Sequence, residues 1–222
     1  MTYPTFYVRG CALITRTANL KPALTLRELR DRIEECPRAS LYHHFCETKL
    51  RPTFDDPEYP NDFAVWAAHA LRDPVLAERL GVLDPYTFSE LEELRAATLD
   101  IIDDCLADSP SNPAADRGEQ FHFLQAMTVV FDTGVELHAV DDLPRAVNRM
   151  NLGSIYYHFI EARRRVPTGL DDFSAWLAAW GAETESLVHR LATMDFYFFS
   201  LRELKEQLVS TISHELSRRA VS

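Results

Sequence analysis

Ser40-Leu41-Tyr42-His43-His44-Phe45 returns later in the chain as Ser154-Ile155-Tyr156-Tyr157-His158-Phe159, an offset of 114 (154 − 40). Asn61-Asp62-Phe63-Ala64-Val65-Trp66 returns as Asp171-Asp172-Phe173-Ser174-Ala175-Trp176, an offset of 110 (172 − 62). Two anchors in one order at nearly one spacing indicate a tandem duplication, and such a self-match sets the architecture before any single element is read. The expected organisation is a first helical repeat over 1–106, a linker over 107–120 and a second helical repeat over 121–222. From Ala107 the linker reads A-D-S-P-S-N-P-A-A-D-R-G-E-Q, where Pro, Ser, Asn and Gly gather and large apolar side chains vanish.

Working outward, helix signals flank both anchors. Thr25-x-x-Glu28, Thr87-x-x-Glu90 and Ser200-x-x-Glu203 read as capping boxes, in which hydroxyl and carboxylate each satisfy an orphan backbone N–H. Asp73-Pro74 opens a further helix, with Asp as cap and Pro at the first helical position. The last helix of each half carries an apolar stripe, through Leu91, Leu94, Thr98, Ile101, Ile102 and Cys105 in one and Leu201, Leu204, Leu208, Ile212 and Leu216 in the other. Such stripes need cover, and another helix supplies it. The segments opening each half, Phe6–Thr15 and Phe121–Asp132, fit helical spacing and strand alternation alike; helix is the expectation, with a short strand as the alternative. The predicted class is all-α (mainly α): a pseudo-symmetric helical bundle, with at most a short strand at the start of each half.

Composition narrows function. The formal net charge is −11, from 23 basic and 34 acidic residues. That balance repels phosphate backbones and anionic lipid, so neither nucleic acid nor a membrane is an expected partner. Four cysteines stand at 11, 36, 46 and 105 with no CxxC spacing, which reads as buried thiols. The start of the chain lacks a secretory signal pattern and no apolar run reaches spanning length, so a cytoplasmic protein is expected.

The common enzyme signatures do not occur: no phosphate-cradling glycine loop, no nucleophile elbow, no dinucleotide fingerprint. His214-Glu215 resembles the start of a zinc-protease motif, but Arg218 occupies the second histidine position. The duplicated polar set is the best constellation for chemistry. His44-x-x-Glu47 recurs as His158-x-x-Glu161, followed by Asp62 and Asp172, and residues three apart share a helix face. Carboxylate and imidazole pairs on facing helices build dinuclear metal sites in bundles, which makes His44, Glu47, His158 and Glu161 the candidate ligands for a divalent metal between the repeats. The order Glu-x-x-His is reversed here. With Asp62, Asp172, Trp66 and Trp176 the same residues form a candidate small-ligand site. The structural alternative is stronger: Glu47 and Glu161 have Arg51 and Arg165 four residues on, Asp62 and Asp172 begin helices, and the histidines suit a buried role, hydrogen-bonded to a backbone carbonyl or to that Asp. Ser40 and Ser154 share the histidines' helix face, without the glycine turn a nucleophile needs. Phe196-Tyr197-Phe198-Phe199 cannot all face one core, so a second surface is expected for them.

The strings S-[LI]-Y-x-H-F and [ND]-D-F-x-x-W, with Leu76-Ala77-Glu78-Arg79-Leu80, resemble an uncharacterised prokaryotic family of duplicated helical domains of unknown function. The resemblance covers nearly the whole chain and implies no cofactor or catalytic residue; it suggests an accessory role beside carbohydrate metabolism. The function expected from the residues is a non-catalytic interaction or regulatory module. Its partner is an unidentified protein, a second copy of the chain, or a small molecule.

Overall fold

A computed structural model describes residues 3–50, 58–108, 112–166, 168–197 and 199–219. Phe6–Thr17 (β1) and Leu124–Leu137 (β2) are strands, paired as one antiparallel two-stranded ribbon. This corrects the all-α expectation: the protein is mainly helical, with a sheet, and the strands run to 12 and 14 residues. Alternation wins over the three-four pattern because the segments are rich in β-branched and aromatic residues, which suit a pleated surface. Gly10 lies beneath the ring of Phe131 on the other strand; a Cβ there would meet that ring.

The helices follow their caps. α1 (Leu26–Glu35) begins with the Thr25/Glu28 box in both of its bonds, and buries Leu26, Leu29 and Ile33. α2 (Arg38–Cys46) carries the first histidines. α3 (Asp62–His69) is capped by Asn61 and α4 (Pro74–Gly81) by Asp73. α5 (Leu91–Asp108) buries Leu91, Leu94, Thr98 and Ile102 of the predicted stripe and leaves Ile101 and Cys105 half-buried, yet Thr87 does not cap it: its hydroxyl donates to Asp84, while Glu93 receives the N–H groups of Ser89 and Glu90.

After β2 come α6 (Leu143–Arg149), with Pro144 in its first turn, and α7 (Leu152–Ile155). The chain then winds as a π-helix over Tyr156–Glu161 before α8 (Ala162–Arg165). α9 (Asp172–Ala178) is capped by Asp171, α10 (Glu185–Ala192) follows, and α11 (Leu201–Arg219) starts at the Ser200/Glu203 box. Phe196 and Tyr197 are buried, and Phe198 lies outside the described residues. So do Arg51 and residues 109–111 of the expected linker.

By contact the chain divides elsewhere than at that linker. One unit takes the chain up to Ala12 and from Thr128 onward; the other is Leu13–Met127. The helices therefore keep to their halves, but the strand segments do not. Phe121 and Phe123 belong to the core built by α1–α5, where Leu26, Leu29, Phe45 and Phe63 are fully or almost fully buried. Phe6 instead packs in the other unit, its ring 5.3 Å from that of Phe173. In the first unit α1 lies against α5 and α3 against α4; in the second α6 lies against α11 and α9 against α10. Every described cysteine is a free thiol, with Cys11, Cys36 and Cys46 buried.

Candidate functional site

His44 sits in the last turn of α2 and His158 within the π-wound segment, each only 2% exposed. Their acids are the first residues of α3 and α9, where Asn61 and Asp171 cap the helices. His44 Nδ1 meets Asp62 Oδ2 at 2.6 Å, and Nε2 accepts the backbone N–H of Leu124 at 2.9 Å. His158 Nδ1 meets Asp172 Oδ2 at 2.7 Å, and Nε2 accepts the N–H of Arg9 at 2.8 Å. An accepting nitrogen carries no proton, so this network assigns the ring proton to Nδ1, which donates to the carboxylate. Both nitrogens of each imidazole are occupied, one by a helix-borne acid and one by a strand N–H.

The tryptophans complete the hold. Trp66 Nε1 donates to the carbonyl of Glu119 at 2.7 Å and Trp176 Nε1 to that of Pro4 at 2.6 Å. In both cases the carbonyl precedes the histidine-bound N–H by five residues (124 − 119, 9 − 4). Between these bonds an aromatic ring wedges in. Phe121 lies 4.8 Å from the His44 ring and 5.0 Å from Phe63; Phe6 lies 4.9 Å from His158. Each [ND]-D-F-x-x-W motif thus supplies a cap, an acid, a ring and an indole to one strand clamp. Trp66 and Trp176 are 8% and 6% exposed, which leaves little ring face on which a sugar could stack.

Other predicted residues pair differently. Glu47 pairs with His43, four residues before it on the same helix face: His43 Nδ1 lies 2.8 Å from Glu47 Oε2. His43 is fully buried and its Nε2 has no hydrogen-bond partner. Glu161 is not the partner of His158, and Arg165, expected beside Glu161, pairs with Asp172 at 2.7 Å while stacking on Tyr157. Among the described residues no group of three or more His, Cys, Asp or Glu is placed to hold a metal ion. Asp62 and Trp66 also line an open hollow of about 280 Å³, with Val65 and His69.

Three residues outside the predicted set shape the clamps. In the first half, buried Asn61 accepts from Ala64 N–H and donates its amide to the carbonyl of Leu80 at 2.9 Å. In the second, Asp171 stands in its place, and Arg163 provides the donor to the corresponding carbonyl, Leu191, at 2.6 Å. Burial pushes the Asp171 carboxyl above the usual carboxylate range, against the downward pull of bonds from Ser174 and the charge of Arg163. Burial also lowers the Arg163 guanidinium, opposed by the charge of Asp171. The Asn-for-Asp exchange between the anchors was the visible signal for this difference.

The family described as "Family of unknown function (DUF5752)" matches residues 3–213. The chain belongs to this family. It is similar in structure to the chain reported in "The structure of OrfY from Thermoproteus tenax", with a TM-score of 0.75, 25% identity and 96% of each chain covered. No curated protein matches it. No helix among the described residues is long and apolar enough to cross a membrane.

Proposed function

We propose that the chain is a non-catalytic interaction module, descended from one duplicated helical unit, that associates with a second copy of itself through its ribbon. The observation that carries this is the apolar surface left open there. Tyr7, Val129, Val130 and Phe131 remain 48%, 39%, 43% and 45% exposed on paired strands. Exposed aromatic and β-branched side chains on a ribbon are a liability unless something covers them. Beside them Arg9 and Asp132 pair at 2.6 Å, so like charges need not meet when two copies approach across a two-fold axis. The duplication draws support from the five recurring clamp contacts, and the non-catalytic reading from the commitment of both imidazoles to strand N–H groups.

Sedimentation velocity tests the proposal. The protein should form a dimer with a dissociation constant of about 1–10 μM, and Phe131→Asp should weaken it more than about tenfold. A species that stays monomeric at about 100 μM would overturn the reading.

A further inference from the structure

The unit containing α6–α11 has a cavity of about 310 Å³, within the span of small-ligand sites of about 300–1,000 Å³. Val8, Val135, Leu137 and Met150 give it an apolar wall. Ser154 lines it too, and the serine is buried, 1% exposed, with no partner for Oγ. Its counterpart shows that this is not a general property of the position: Ser40 donates to the carbonyl of Leu124 at 2.7 Å. A buried hydroxyl without a partner is costly, and the cost is recovered when a ligand supplies one.

Charge decides the ligand class. Arg145 and Arg149 both line the cavity and stand four apart on α6. Arg145 is paired with Asp142 at 2.8 Å, whereas Arg149 makes no ion pair with any described residue. Glu136, the other acid in the lining, approaches His138 at 3.6 Å. The cavity therefore offers one uncommitted cation, one uncommitted buried hydroxyl and an apolar floor.

We infer that this cavity binds a small organic anion, with its oxyanion on Arg149, its apolar body against Val8, Val135, Leu137 and Met150, and a hydrogen bond to Ser154 Oγ. The site is separate from the exposed ribbon side chains named above and does not depend on self-association.

Calorimetric titration of the full chain tests it with three probes sharing one apolar body: 4-phenylbutyrate, 3-phenylpropyl phosphate and the neutral 4-phenylbutanamide. At least one anion should bind with a dissociation constant below about 1 mM, and the amide about tenfold more weakly. The stronger anion identifies carboxylate or phosphate as the preferred head. Arg149→Gln should weaken the anion about tenfold and leave the amide unchanged, and Ser154→Ala should weaken both about threefold or more. Both variants should fold, since one alters an exposed side chain and the other removes an unpartnered hydroxyl. Equal binding of amide and anions, anion binding indifferent to both substitutions, or no binding of any probe at about 10 mM overturns the inference.

Discussion

The two halves hold a strand by the same five contacts, yet they solve the problem next to it with opposite chemistry. Around α3 the cap is Asn61, a neutral amide whose two ends meet Ala64 N–H and the Leu80 carbonyl. Around α9 the cap is Asp171, a buried carboxylate 3.5 Å from the partly buried guanidinium of Arg163, which itself is sandwiched against Phe159 and Phe196. One amide in the first half is replaced by two charges in the second. The comparison teaches that the clamp is the shared device and its support is free to diverge.

The largest effect should come from forcing the second solution onto the first half. Asn61→Asp places a carboxylate where Arg163 has no counterpart and removes the donor to Leu80, costing about 3–5 kcal/mol by urea unfolding. The reverse change, Asp171→Asn, should show itself through pH. Burial raises the folded pKa of Asp171 above its ordinary 3.8, so its favourable contribution is full below that value and lost as pH rises through the folded value. The stability of Asp171→Asn relative to the parent should therefore increase with pH above about 4. A gap that shrinks as pH rises would mean that the pair with Arg163 outweighs burial.

His44→Ala and His158→Ala should each cost about 2–4 kcal/mol, since each strands the backbone N–H of a strand residue and leaves a cavity where the ring was. Similar losses are expected from the two; one variant near the parent would break the equivalence of the clamps. Gly153→Ala comes next, at about 1–3 kcal/mol, because its Cβ would run into the backbone oxygen of Cys11. At the matching position Ala39 is exposed, and Ala39→Gly should cost only about 0.5–1 kcal/mol of helix propensity. Smallest is the serine pair. Ser40→Ala should lose about 1 kcal/mol with its bond to Leu124, and Ser154→Ala about nothing without ligand.

Much of the helical framework is legible in the sequence because capping is local: Thr25 with Glu28, Ser200 with Glu203 and Asp73 with Pro74 need only a few residues to agree. Thr87 shows the limit. Its spacing to Glu90 is right, but Glu93 reaches back to the same region and takes the N–H groups. The recurrence of histidine, acid and tryptophan is also visible, and so is a structural role for them. Which acid each histidine meets is not, since His43 and His44 are adjacent and only the helix phase assigns Glu47 to the former. The exchange of strands is the least legible feature. Phe6-Tyr7-Val8 and Phe121-His122-Phe123 are similar enough for either set of helices, so no local pattern says which one receives which.

That exchange bears on synthesis. The N–H of Arg9 finds its acceptor 149 residues downstream, and that of Leu124 finds one 80 residues upstream. On a ribosome adding about 5–20 residues per second, the first apolar segment would wait about 8–30 seconds for the helix bearing Trp176. During that interval α1–α5 also lack their closing strand until Leu124 emerges. The contiguous unit Leu13–Met127 has all of its chain once Met127 emerges, whereas the segment up to Ala12 must wait for the helices that follow Thr128.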